Sequence, residues 1–297
     1  MSVNITAAMV KELRERTSSG MMECKKALVE ANGDMELAIE NMRKSGLAKA
    51  DKKSDRIAAE GIIGIKVSAD GTAAAMVDVN CETDFVAKAD DFVAFTNDVT
   101  ELVLANDFAS DEQLLAATLA SGSTVDEVRR GLIAKLGENI TVRRFEKLTS
   151  ANGGLASYLH GSKIGILVEL ADNNPELGKD IAMHVAACKP VCVSGDQVPA
   201  EQVEKEKEIF LAKQEDKIQG KPANIVENMI AGFVKKYLAE ITLLGQAFVK
   251  DDSMTVEQLV KSKGTSVVRF TRFAVGEGIE KKVEDFAAEV MAQVNAQ

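Results

Sequence analysis

The sequence predicts an α+β fold assembled from several modules, and three observations carry that prediction. Apolar residues recur at helical spacing over residues 4–46. The spacing then switches to period two over 61–67 and 73–79, with the turn dipeptide Asp70-Gly71 between the two stretches. Strand, turn, strand, loop and helix follow one another around 61–106 and again over 155–188, which reads as two related α+β halves. With 297 residues the chain is at the limit of what one core supports, so two or more domains are expected.

The elements follow in order. Thr6 is an N-cap for a first helix with Met9, Val10 and Leu13 on one face. Thr17-Ser18-Ser19-Gly20 breaks it, and Met21–Ala31 forms a second, with Cys24, Ala27 and Leu28 inward. Asn32-Gly33 ends that helix and Asp34 caps a third, carrying Leu37, Ala38, Ile39 and Met42 and stopped by Ser45-Gly46. Residues 47–58, with Lys49, Lys52, Lys53 and Arg56, read as a solvated connector. After the two strands comes Asn80-Cys81-Glu82-Thr83-Asp84-Phe85-Val86, then a helix over 91–106 with Phe92, Phe95, Val99, Leu102 and Val103 at helical spacing. Helices are expected near 111–120 and 124–136, the latter opened by the capping box Thr124-x-x-Glu127. Strands are expected over 140–148, 155–159 and 164–170, with His160-Gly161 as a turn, and a helix over 176–188. Glu201–Gln219 reads as one long charged helix, turned by Gly220-Lys221-Pro222 into a second over 223–240. Such a hairpin has little apolar face for a globular core and suits a protruding antiparallel coiled coil. Residues 241–274 return to strand character, and 283–294 form a last amphipathic helix.

Composition excludes several function classes. A hydrophobic share of 46% is that of a folded chain, so wholesale disorder is excluded. A net charge of −10 argues against a general nucleic-acid binder, and with no Trp and two Tyr a stacking platform for single strands is not expected. No apolar run reaches the ~18 residues of a membrane helix, and no secretory signal opens the chain. Cys24, Cys81, Cys188 and Cys192 then read as reduced cytoplasmic thiols.

The chemistry of an enzyme is sparse. Cys188 and Cys192 are spaced C-x3-C without a downstream His, unlike a zinc site. Gly178-Lys179-Asp180 and Gly220-Lys221-Pro222 lack the G-K-[ST] ending of a phosphate loop, and there is no G-x-S-x-G elbow. No cofactor or metal is expected, and the inventory suits a protein that works by contact.

Seven stretches in fixed order resemble the bacterial elongation factor Ts family along nearly the whole chain. They are 10–17 (Val10 to Thr17), Gly20-Met21-Met22-Glu23-Cys24-Lys25-Lys26-Ala27-Leu28, Asn80-Cys81-Glu82-Thr83-Asp84-Phe85-Val86-Ala87-Lys88, Gly137-Glu138-Asn139-Ile140, His160-Gly161, 182–187 (Ala182 to Ala187) and 275–281 (Val275 to Lys281). The resemblance implies an N-terminal three-helix module (1–54) and a core of two α+β subdomains (55–150, and 151–188 with 241–276). It also implies an inserted coiled-coil dimerisation hairpin (189–240) and a C-terminal helical module (277–297). It implies, further, a guanine-nucleotide exchange factor without covalent chemistry. The partner would be elongation factor Tu, GDP-bound or nucleotide-free, with no direct nucleic-acid or membrane partner and a cytoplasmic location. The hairpin allows a homodimer, since such hairpins pack within or between chains.

By the same match Thr83, Asp84, Phe85 and Val86 form the segment that dislodges the partner's magnesium. Arg14, Met21 and Met22 contact its nucleotide-binding domain, Leu136 and Gly137 lie beside the core contact, and His160 belongs to the second subdomain's contact region. From position alone, Phe85 reads as a core aromatic at a strand end and Asp84 as an N-cap or turn residue. Arg14 alone would be a solvated helix charge. Two adjacent Met cannot share one face of a helix, so one of Met21 and Met22 is expected to be exposed. His184, on an apolar helix face, reads as a satisfied core residue. The rival reading is a dimeric scaffold without exchange activity.

Overall fold

The computed structural model describes residues 4–17, 19–152 and 154–280. The helix foreseen at 283–294, and with it nearly all of the module foreseen at 277–297, lies outside the described residues.

Helices α1 (Ala7–Thr17), α2 (Met21–Glu30) and α3 (Met35–Asp51) make the first module. The Thr6 hydroxyl accepts the Met9 amide at 3.3 Å, and the Asp34 carboxylate accepts the Leu37 amide at 3.0 Å, so both foreseen caps are formed. Val10, Leu13, Cys24, Ala27, Leu28 and Ala38 give this module its own thin core. α3 does not stop at Ser45-Gly46. A Cβ on Gly46 would lie 3.4 Å from that of Ala134, so the glycine faces a neighbouring helix rather than ending its own. Tertiary packing overrides the weak local stop. The connector is correspondingly shorter and is anchored: Lys53 donates to the Gly137 carbonyl, and Arg56 pairs with Glu82 at 3.3 Å.

Strands β1 (Glu60–Val67) and β2 (Ala73–Cys81) pair antiparallel, with Glu60 opposite Cys81 and Val67 opposite Ala74. The Asp70 carboxylate organises the turn, accepting the Ser68 and Thr72 hydroxyls and the Thr72 amide. Then come α4 (Asp84–Ala87), α5 (Asp90–Ala105), α6 (Asp111–Ala116) and α7 (Val125–Leu136). α6 is shorter than the 111–120 foreseen, because the chain turns at Ala117 and Thr118 bridges to Thr124. The capping box at Thr124 and Glu127 is formed. β3 (Thr141–Thr149) joins the far side of β2, completing a sheet of order β1-β2-β3.

The second half uses the same plan. β4 (Leu155–His160) and β5 (Ile164–Leu170) form an antiparallel hairpin, and α8 (Pro175–Cys188) follows. Next come α9 (Ala200–Lys213), α10 (Glu215–Ile218) and α11 (Ala223–Ile241), so the long charged helix foreseen over 201–219 is broken at Gln214. α9 and α11 run antiparallel, with Phe210 stacked on Phe233 at 4.3 Å and the Gln202 amide donating to the Tyr237 hydroxyl at 2.8 Å. β6 (Ala247–Phe248) and β7 (Asp251–Thr255) form a small ribbon. α12 (Val256–Ser262) was not foreseen in this strand-like stretch, although Thr255 and Gln258 close a capping box at its start. β8 (Val267–Ala274) then returns to β5, giving the order β4-β5-β8.

Both helix-on-sheet contacts depend on a side chain being absent. Gly64 of β1 lies against Thr96 and Thr100 of α5, whose hydroxyls donate to Phe92 and Thr96 carbonyls at 2.9 and 2.7 Å. Gly178 of α8 lies against Ala156 of β4. The other faces of the two sheets meet across Ile63, Met76, Leu148, Leu155, Leu167 and Phe273. The layers therefore run helix, sheet, sheet, helix. No helix among the described residues is long and apolar enough to cross a membrane.

Candidate functional site

The end of β2 leads directly into the segment singled out in the sequence. Beyond Cys81, which pairs with Glu60, the chain leaves the sheet, and its amide groups need acceptors elsewhere. Glu138, just past α7, supplies them. Its carboxylate accepts the Glu82 amide at 3.1 Å, the Thr83 amide at 2.9 Å and the Thr83 hydroxyl at 2.6 Å. The same hydroxyl oxygen accepts the Val86 amide at 3.4 Å, making Thr83 the N-cap of α4. A second clasp runs the other way: the Glu82 carboxylate accepts the Asn139 amide at 2.6 Å. The Asn139 side chain in turn donates to the Ser54 and Arg56 carbonyls at 3.2 and 2.8 Å. Connector, segment and the loop after α7 are thus laced together.

On this base α4 divides its side chains cleanly. Val86 and Ala87 enter the first core. Phe85 points away and is 81% exposed, so it is not the core aromatic that its position alone predicts. Asp84 is not the N-cap either, since Thr83 fills that place. Asp84 pairs with Lys88 at 2.6 Å, and the hydrogen bond from Lys88 holds its carboxyl below the usual range. The Cys81 thiol beneath donates to the Thr83 carbonyl at 3.1 Å, and burial pushes it up to about 12, which makes it an inert packing group.

The other residues singled out fall into two groups. Leu136 is half-buried against the first core, and Gly137 caps α7 with a left-handed φ of 83° that favours glycine. Both precede Glu138 directly and so adjoin the segment. His160 is exposed at the end of β4, its Nδ1 3.1 Å from the Tyr158 hydroxyl. Just beyond it, Lys163 donates to the Glu60 carboxylate at 2.7 Å and the Gly61 carbonyl at 3.0 Å. Glu60 lies opposite Cys81 at the end of β2, so the β4–β5 turn lies near the segment. Arg14, Met21 and Met22 stand on the separate N-terminal module. All three are exposed, the two methionines by 53% and 78%, so both and not one alone present their side chains to solvent.

Glu138 is the site residue that residue-by-residue reading missed. It lies inside a quoted motif, but nothing in the sequence shows that its carboxylate faces Thr83. His184 is fully buried: its Nδ1 accepts the Val249 amide at 3.2 Å and its Nε2 donates to Gln246 at 2.9 Å. Cys188 and Cys192 carry free thiols, and among the described residues no group of three or more His, Cys, Asp or Glu is placed to hold a metal.

These features define a class: an α+β protein that holds an exposed aromatic side chain on a hydrogen-bonded turn. A family profile described as Elongation factor TS matches residues 82–277, beginning at the head of this element. A protein of Methylococcus capsulatus named Elongation factor Ts is 64% identical, covering 99% of this chain and all of its own length. Proteins of the same name from Thioalkalivibrio sulfidiphilus and Nitrosomonas eutropha are 59% and 55% identical, each over 98% of this chain and 99% and 98% of their own. The chain belongs to the elongation factor Ts family.

Proposed function

We propose that this protein is a guanine-nucleotide exchange factor of translation elongation. It binds elongation factor Tu carrying GDP, disturbs the magnesium and phosphate site, and so promotes release of GDP. The observation that carries the reading is the exposure of Phe85 on a turn whose base is fixed by hydrogen bonds. Holding a large apolar side chain in water has no use inside the free protein, and a partner pocket gives it one.

Magnesium demands near-ideal octahedral geometry, so a small displacement of its ligands weakens the site. Phe85 inserts between partner side chains, and Asp84 competes for polar partners there once it leaves Lys88. Thr83 and Val86 shape the turn. Leu136, Gly137 and His160 extend the contact around the core, and Arg14, Met21 and Met22 form a second contact on the partner's nucleotide-binding domain. No bond is made or broken. If the factor binds the empty partner more tightly than the loaded one, nucleotide binds the complex more weakly by the same factor. A hundredfold effect needs only about 2.7 kcal/mol of coupling.

The same reading takes the three-helix module, the two core subdomains and the hairpin as separate working parts, acting in the cytoplasm without direct contact with nucleic acid or membrane. The hairpin serves dimerisation; it is supported by α9 and α11 having no buried residue, with Ile225 43% exposed. The test is release of a fluorescent GDP from elongation factor Tu, with the intact protein and with an Asp84→Ala/Phe85→Ala variant. Acceleration that the variant loses supports both the activity and the residues. Acceleration that it keeps removes the residue assignment, and no acceleration by the intact protein removes the function.

A further inference from the structure

We infer that Glu138 is a positioning residue for exchange: its carboxylate holds the Thr83–Val86 turn in the geometry that acts on the partner. The inference rests on the exchange reading above and goes beyond it, to a residue whose carboxylate is engaged within this chain.

Four contacts argue for it. The two carboxylate oxygens take the amides of Glu82 and Thr83 and the Thr83 hydroxyl. The hydroxyl that donates to Glu138 is the one that caps α4, so Glu138 also sets where the cap oxygen sits relative to the Val86 amide. Bonds to a charged acceptor are shorter and stronger than neutral ones, and these share one rigid carboxylate. The C-terminal side of the turn is already fixed by burial of Val86 and Ala87. Glu138 fixes the other side, and Asp84 and Phe85 project between the two anchors. Its own backbone is held in turn, since Gly137 on one side receives Lys53 and Asn139 on the other donates to Glu82.

A side chain that acts only when the partner's magnesium site is displaced gains from being placed beforehand, because less ordering remains to be done at that step. The overall docking energy comes from several separate surfaces. Loosening the turn should therefore lower the maximal rate of GDP release more than it raises the factor concentration needed for half of that rate.

The experiment uses the full chain and GDP-loaded elongation factor Tu, with release followed to saturation. Glu138→Ala is expected to lose about tenfold in maximal rate, equivalent to about 1.4 kcal/mol, with the half-saturating concentration changed less than about threefold. Glu138→Gln keeps one acceptor oxygen and should fall between. Thr83→Val breaks the same contact from the other side, and Thr83→Ser, which keeps the hydroxyl, should restore the rate. The double variant Glu138→Ala/Thr83→Val should lose less than the product of the two single losses, the remainder being the α4 cap that Thr83→Val also removes. In the free protein, the Glu82 and Thr83 amides should exchange with solvent faster in Glu138→Ala while those of β2 do not. A Glu138→Ala maximal rate within twofold of the intact protein's overturns the inference and leaves the exchange reading standing. So does a loss confined to the half-saturating concentration, or single losses that multiply in the double variant. Should Glu138→Ala fail to fold, Thr83→Val against Thr83→Ser decides by the same criterion. If the intact protein does not accelerate release, both fall together.

Discussion

Phe85→Ala separates function from stability in a single substitution. Complete burial of a Phe side chain is worth about 1.5–3 kcal/mol. Phe85 has 81% of its surface still in water, so docking can recover about 1.2–2.4 kcal/mol of that. That range corresponds to a factor of about 8–60 in exchange efficiency. The free protein gives up almost nothing, because the side chain contributes little to its core; a change within about 0.5 kcal/mol is expected. The assay is GDP release from elongation factor Tu as a function of factor concentration, paired with thermal unfolding of the variant alone. The expected pattern is a loss of exchange of this size with a melting temperature moved by no more than about 1–2 °C. Exchange within twofold of the parent would refute the insertion of Phe85. A melting temperature lowered by many degrees would refute the claim that it is not a packing residue.

Three further outcomes follow from the geometry. A Cβ on Gly165 would lie 2.5 Å from Ile63 Cγ2 and 2.8 Å from Met76 Sδ, so Gly165→Ala should force the two sheets apart and cost about 1–3 kcal/mol in urea unfolding. Burial lowers the pKa of His184, so the unfolded chain binds a proton more readily than the native one as pH falls below the unfolded value of about 6.5. Stability should then drop between pH 7 and 5.5, by at most about 1.4 kcal/mol per unit, and His184→Gln should flatten this part of the urea-midpoint profile. Phe233 stacks on both Phe210 and Tyr237, so Phe233→Ala should cost the hairpin about 1–3 kcal/mol. Amide exchange should quicken in α9 and α11 and not in β2 or β5.

What the sequence disclosed depended on whether the deciding contact was local. The caps at Thr6, Asp34 and Thr124 are read from a few adjacent residues and are formed as expected. The period-two strands and the α5 face are legible for the same reason: alternation and 3.6-residue spacing are written along the chain. Gly46 was misread because its meaning is set by Ala134, far away in sequence and adjacent in space. α12 was hidden because it is short and rich in Val, so its capping box was outweighed by strand-like composition. At the site, motif resemblance singled out Thr83 to Val86, but nothing local says that Phe85 turns outward while Val86 turns in. That follows from how Glu138 and the first core hold the two ends of one helical turn.

The strand order of the second sheet has a consequence for the chain while it is being made. β5 pairs with β4 at once, but its other neighbour, β8, emerges roughly a hundred residues later. At translation speeds of about 5–20 residues per second, that edge waits about 5–20 s for its partner. The first sheet is complete by Thr149, and its own open edge, on β2, waits only from Cys81 to Thr141. Its finished surface, with Ile63, Met76 and Leu148, is already there to receive Leu155 and Leu167 as they appear. The nascent second half therefore has one sheltered apolar face, while the backbone edge of β5 stays open and the core on its other face still lacks Leu243, Phe248, Val256 and Val260. That leaves time for the whole α9–α11 hairpin to be synthesised before β8 closes the sheet.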